Sequence, residues 1–206
     1  MQVAKRSYGV DVSSFQGIDL AKYANLGAKY VFVKVSEGLD YRNPKAEAQI
    51  NSAKDNGMMV SGYHYARFSA NSGVAVQEGH YAVNSAVAVG LPKGSYLACD
   101  WESGSGNVTV KKITDKHGTC LWVASYKTMN RQDAADFGYF PSMDNIAIWQ
   151  FSSNWYGLDV DANFTLIDLK SNAPAPKPQP SNSTPAKLTS TERTWTDVQG
   201  MTWHEE

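Results

Sequence analysis

Strand-like runs and helix-like segments alternate along the first 170 residues, and this alternation restricts the fold more than any other feature of the chain. Residues 8–12, 29–35 (KYVFVKV), 58–68 (MMVSGYHYARF), 96–101, 120–125, 146–151 and a short 160–164 read as strands, most of them rich in β-branched and aromatic residues. Between them, residues 20–26, 44–56 and 74–89 carry apolar residues at helical spacing. The first two segments end at Gly27 and Gly57, where helix C-caps are expected. Repeated strand–helix–strand units predict an α/β fold, with a parallel sheet or an α/β barrel. Barrels carry their functional groups at the C-terminal ends of strands, which is where Asp11, Asp100 and Glu102 fall.

The run SYLACDWE (95–102) ends in two carboxylates one residue apart. In a strand, side chains i and i+2 share a face and each residue advances ~3.3 Å, so Asp100 and Glu102 are expected side by side. Close carboxylates resist double ionisation, and a protonated acid can then stand beside a charged one near neutral pH. Glycoside hydrolysis needs such a pair: one group protonates the leaving oxygen and the other supports positive charge at the sugar carbon.

Composition argues against several other classes. A net charge of −1 lacks the basic excess of a nucleic-acid binder. No stretch approaches the ~18 apolar residues of a membrane span, so no membrane insertion is expected. No His/Cys/Asp cluster has metal-ligand spacing, and SGSGN at 103–107 lacks the Lys-Ser/Thr of a phosphate loop, so neither metal nor cofactor is expected. The two cysteines, Cys99 and Cys120, define no disulfide framework. Cys99 is expected to be a small hydrophobe in a buried strand. His64 alternates with Tyr63 and Tyr65 and is expected on the opposite face, as a satisfied structural histidine.

Residues 171–188 hold five of the eight prolines and read as an extended Pro/Ser-rich linker. Residues 189–206 regain Trp, Met and Val, and read as the start of a truncated C-terminal module. The expected organisation is therefore a catalytic domain at 1–170, the linker, and the beginning of that module.

Seven ordered motifs carry a resemblance: YGVDVSSFQG, FVKVSEGLDY, SGYHYARF, LACDWE, LWVASY, IAIWQFSS and VDANF. Together they resemble the family 25 glycoside hydrolases, the muramidases of bacteria and phages. The resemblance implies an irregular TIM-like (β/α) barrel that hydrolyses the β-1,4 bond between N-acetylmuramic acid and N-acetylglucosamine in peptidoglycan. It implies Glu102 as general acid, Asp100 as its carboxylate partner, Asp11 at the floor of the groove and Asp161 as a late aspartate. The Asp-x-Asn pattern favours Asp161 over Asp159. Glu37, Tyr41, Tyr63, Trp122, Trp149 and Gln150 are implied as groove lining. Water attacks the anomeric carbon directly or after the substrate's own acetamido oxygen has done so, and the sequence leaves both routes open.

The implied partner is the peptidoglycan glycan strand, met by a monomer, with residues 189–206 as a candidate cell-wall-binding module. The N-terminal residues show no secretory leader. The chain is therefore expected to be made in the cytoplasm and to reach the wall after release, for example through a phage holin.

One segment departs from the family. A strand–helix unit takes ~30 residues, and the stretch between Trp101 and Trp122 cannot hold the one that the resemblance implies there. The barrel is therefore expected to lack one unit, with an open edge or a displacement of Trp122, Trp149 and Asp161. The alternative function is an inactive, vestigial peptidoglycan-binding remnant of an internally deleted endolysin.

Overall fold

A computed structural model describes residues 1–68, 72–102 and 110–171, together with the backbone of 194–196 and 202–204. In chain order the elements are β1 (Gln2–Val3), β2 (Tyr8–Val12), α1 (Ala21–Asn25), β3 (Tyr30–Glu37), β4 (Tyr41–Arg42), α2 (Ala46–Asp55), β5 (Met59–Tyr65) and α3 (Ser72–Ala88). Then follow β6 (Leu97–Asp100), α4 (Val110–His117), β7 (Leu121–Ala124), a 3-10 turn Phe137–Tyr139, β8 (Ile146–Trp155), β9 (Leu158–Thr165) and β10 (Leu169–Lys170). A short antiparallel pair, β11 (Thr194–Thr196) with β12 (Thr202–His204), is all that is described of the tail. The linker and most of the expected C-terminal module lie outside the described residues.

The main sheet is a curled half-barrel with the strand order β6-β5-β3-β2-β9-β8-β7, and β4 pairs with β3. Strands β2, β3, β5 and β6 run parallel to one another, as do β7 and β8. The sheet is nevertheless mixed, because β9 runs antiparallel to both β2 and β8. The reason is local. Only Tyr156 and Gly157 join β8 to β9, both with positive φ (53° and 81°). A two-residue turn of this kind can join only antiparallel strands.

Helices α1, α2 and α3 cover the outer face of the sheet. In α2 the buried residues Ala46, Gln49, Ile50 and Ala53 recur at helical spacing, and they meet a core that includes Val10, Val31, Val33 and Val35. Gly27 and Gly57 follow α1 and α2 with φ of 101° and 70°, the left-handed conformation that ends a helix cheaply only at glycine. The alternating residues Tyr30, Phe32, Met59, Tyr63 and Ile148 form a second cluster on the inner face. Gly9 is required there: a Cβ at this position would lie 2.4 Å from the Tyr30 ring.

Strands β1 and β10 tie the first residues of the chain to those around Ser171. β1 pairs antiparallel with β10, and the Met1 ammonium donates to the Ser171 carbonyl at 2.9 Å.

Among the described residues, strands β6 and β7 stand at the two free edges of the sheet. They flank the short segment that the sequence marks as abbreviated. Among the described residues, that segment supplies only α4, which buries none of its side chains. This corrects the reading of Cys99. It is exposed, because it lies on the outer side of an edge strand over which α4 does not pack.

Candidate active site

The inner face gathers the acids. The register of β2 with β9 places Asp11 opposite Asp161, and directly paired antiparallel residues have Cα atoms ~4.5–5.5 Å apart. Asp161, not Asp159, therefore faces Asp11. The abbreviated segment does not displace it, since β9 is positioned by β2 and by the β8 hairpin rather than by β6. Asp100 ends β6 in register with Tyr65. Glu102 lies beyond the strand end, exposed, and accepts a hydrogen bond from Tyr65 Oη at 3.4 Å. The expected shared strand face thus holds only as far as Asp100.

Crowding and burial act on these groups in the same direction. Burial, reinforced by Glu102 and partly offset by Lys34, pushes the Asp100 carboxyl up to about 7. Burial and the neighbouring Asp159 and Glu102 push Asp161 up to about 6. Asp11 is held well above the usual carboxylate range by burial and by Asp161, against hydrogen bonds from Asn163 and Gln150. Near neutral pH the cluster therefore shares its charge instead of ionising fully, as expected where like charges crowd.

This has a consequence for stability. Where a folded carboxyl has a higher pKa than its unfolded form, the folded state holds the extra proton, and stability falls as pH rises between the two values. Wild-type melting temperature is expected to decline between about pH 4 and pH 7, the window set by Asp100 and Asp161. Asp100→Asn should flatten that decline and melt above wild type at pH 8. Circular dichroism melts across this range provide the check. Identical profiles for the two proteins would contradict the shared-charge picture.

A bulge shapes the rim of the groove. The β3–β5 register shifts between Lys34 and Ser36, a device that re-aims side chains. Ser36 then faces outward, where its hydroxyl meets His64 Nδ1 at 2.8 Å. His64 Nε2 meets Glu78 at 3.2 Å, so His64 is a buried, satisfied residue of the outer face. Lys34 and Glu37 remain together as an ion pair on the inner side. Burial alone would raise the Glu37 carboxyl, but hydrogen bonds from Lys34 and Arg67 hold it below its ordinary range. The Lys34 ammonium also lies 4.7 Å from the Tyr65 ring and 5.7 Å from that of Tyr41. Tyr41 donates to Ser14 Oγ at 3.0 Å.

Four further side chains stand around Asp11. Gln150 Nε2 and Asn163 Nδ2 each donate to Asp11 Oδ2 at 2.8 Å. The Trp122 indole N–H donates to Asn163 Oδ1 at 2.7 Å, and Tyr126 Oη donates to Gln150 Oε1 at 2.5 Å. Trp122 also packs against Phe32 and edge-on to Tyr63.

Trp149 does not join this group and is corrected. It is 1% exposed, packs against Phe137, Phe140 and Phe151, and donates to the Ser125 carbonyl at 2.9 Å. Along β8 it alternates with Ile148 and Gln150, so it faces the outer core while they face the groove.

The expected site residues Asp11, Asp100, Glu102, Asp161, Glu37, Tyr41, Tyr63, Trp122 and Gln150 thus belong to one side of the sheet, and Trp149 to the other. Lys34, Tyr65, Tyr126 and Asn163 were not anticipated. Lys34 shares period-2 spacing with Tyr30 and Phe32, and Asn163 with Asp161, which is the signal that could have found them. Tyr126 lies past the end of β7 and has no such signal. Among the described residues, no His/Cys/Asp/Glu group is arranged to hold a metal ion.

The sequence pattern of the glycosyl hydrolases family 25 matches residues 10–119. The lysozyme of Lactococcus phage mv1 is 31% identical over 174 residues, covering 66% of this chain and 86% of its own length. The lysozyme of Streptococcus phage Cp-9 is 29% identical over 202 residues, covering 81% of this chain and 56% of its own length. The modular Cpl-1 endolysin, solved with a peptidoglycan analogue, superposes with a TM-score of 0.68 at 25% identity, covering 98% of this chain and 62% of that one. The chain thus spans little more than half of the latter two.

Proposed function

Because the chain belongs to glycosyl hydrolases family 25, we propose that it is a phage-type muramidase, which cleaves the β-1,4 bond between N-acetylmuramic acid and N-acetylglucosamine in peptidoglycan. The observation that carries this reading is the gathering of Asp11, Asp100, Glu102 and Asp161 about one groove, with shifted charge on the buried members. Glu102, the exposed acid of the set, donates its proton to the glycosidic oxygen as the bond to the anomeric carbon breaks. Water completes the reaction at that carbon, directly or after the acetamido oxygen has closed onto it. Asp100 and Asp161 carry the charge that the developing cation requires. Tyr41 and Trp122 offer ring surface to the sugars, Tyr63, buried edge-on against Trp122, backs that ring, and Glu37 offers polar contacts.

The test is incubation of the full chain with purified peptidoglycan, followed by borohydride reduction and analysis of the new ends. Reduced muramic acid is the expected product. The absence of new reducing ends, or ends made of glucosamine, would overturn the assignment.

The edges of β6 and β7, unpaired among the described residues, support the view that the barrel lacks one strand–helix unit. Unpaired edges are where a sheet associates wrongly. Inserting a family-like strand–helix segment into residues 103–120 should therefore raise the melting temperature and reduce aggregation during heating, with higher turnover. If melting, light scattering and turnover all stay unchanged, the unit is dispensable.

The residues after Ser171 are a linker leading into a wall-binding module, a reading supported by their proline content and by the closure of β1 on β10 just before them. Among the described residues no helix is long and apolar enough to cross a membrane. Delivery to the wall is by release from the cell, for example through a holin.

A further inference from the structure

The hydrogen bonds around Asp11 run in one direction. An amide group offers an acceptor oxygen on one side and donor N–H groups on the other. Trp122 and Tyr126 are both donors, and each engages an amide oxygen, that of Asn163 and of Gln150 respectively. For Asn163 this leaves only one way round, with its NH2 toward Asp11, because the indole N–H cannot accept; for Gln150 the same orientation lets the Tyr126 hydroxyl donate while the NH2 meets the carboxylate. Both NH2 groups then meet the same atom, Oδ2, at 2.8 Å. Reversing Asn163 would set oxygen against carboxylate at one end and N–H against the indole N–H at the other; reversing Gln150 would set oxygen against carboxylate.

We propose that Trp122 and Tyr126 are positioning residues that act through Asn163 and Gln150 to saturate Oδ2 of Asp11, so that any proton Asp11 takes sits on Oδ1. The proposal rests on the muramidase reading for its catalytic meaning but not for its geometry. Every other ionisable group facing Asp11 opposes the charge or is neutral: Asp161 on β9, Asp100 on β6, and the phenols of Tyr30 on β3 and Tyr63 on β5. The two amides are the interactions that favour the ionised form, alongside burial that disfavours it. Both aromatic donors come from the stretch after the abbreviated segment. Trp122 lies on the edge strand β7 and Tyr126 just past it. An edge strand thereby takes part in controlling an acid two strands beyond its own neighbour in the sheet.

The test reads Asp11 itself. In full-length protein labelled at aspartate Cγ, with Asp11→Asn to assign the signal, carboxyl titration is followed by carbon-13 NMR in wild type, Tyr126→Phe and Trp122→Phe. Tyr126→Phe is close to isosteric and removes only the hydroxyl. Releasing one amide costs Asp11 about one charge-assisted hydrogen bond, which corresponds to an upward shift of its midpoint by about one pH unit. The acid limb of kcat/KM on peptidoglycan should move the same way. An unchanged Asp11 titration in both folded variants would overturn the proposal, even if melting temperature fell. If wild type releases no reducing ends, the muramidase reading fails while the NMR shift still decides the relay.

Discussion

Glu102→Gln is expected to lower peptidoglycan hydrolysis roughly 10²–10⁴-fold, the range that positioned acid–base groups contribute. Glutamine has nearly the shape of glutamic acid and can still accept from the Tyr65 hydroxyl, which reaches Glu102 at 3.4 Å. It cannot deliver a proton to the leaving oxygen. The side chain is exposed and lies past the end of β6, so it contributes no core packing and the fold should be indifferent to the change. The melting temperature should accordingly stay within a degree or two of wild type. Substrate binding should also survive, making the variant a means of trapping glycan in the groove. Two measurements decide the matter: reducing-end release and a thermal melt of the same sample. Wild-type turnover by the variant would remove Glu102 from the role of proton donor, and the search would turn to Asp100 and Asp161.

Trp149→Ala should cost about 3–5 kcal/mol, the loss typical of deleting a buried Trp. The ring is 1% exposed and sits at the centre of an aromatic cluster, with centroids of Phe137, Phe140 and Phe151 5.4–5.9 Å away. A loss of this size consumes much of the ~5–15 kcal/mol that holds a domain together. The urea midpoint should fall sharply, or the protein should fail to accumulate in folded form. Trp149→Phe is the gentler companion. It keeps most of the packing but forfeits the hydrogen bond to the Ser125 carbonyl. That carbonyl precedes Tyr126, so the smaller change probes how the core supports the Asp11 relay. A groove role would look different: KM would rise while the urea midpoint stayed in place, and that outcome would return Trp149 to the substrate.

Much of this molecule is legible from residue order. The period-2 alternation in KYVFVKV and MMVSGYHY assigns Tyr30, Phe32, Tyr63 and Tyr65 to one side of the sheet and Val31, Val33 and His64 to the other. Gly27 and Gly57 mark two helix ends, and the motif series identifies the family. These features are local, because side-chain direction in a strand and chain reversal after a helix depend on neighbours a few residues apart. Sequence alternation alone did not reveal the face of Trp149. Its side is fixed only relative to Gln150, and a β8 register broken by bulges hides which of the two looks inward. The exposure of Cys99 was hidden for a different reason: burial belongs to whatever packs above a strand, and α4 does not pack there.

The placement of Asp161 illustrates the division most clearly. From the sequence it stands far from Asp11 and beyond an abbreviated segment, so by residue order its position depends on everything between. In the folded chain a two-residue turn folds β9 back from β8, and β9 then pairs directly with β2, bringing Asp161 opposite Asp11. Residue order is enough for the family, the alternating strands and helices, and the acids available for chemistry, because these are properties of residue type and short-range spacing. Tertiary structure alone decided which strands became edges, which aromatic rings faced the groove, and how Trp122 and Tyr126 orient two amides on Asp11. Those outcomes depend on hydrogen bonds and packing between residues as far apart in the chain as Asp11 and Asn163, 152 positions, and no local pattern encodes a partner at that distance.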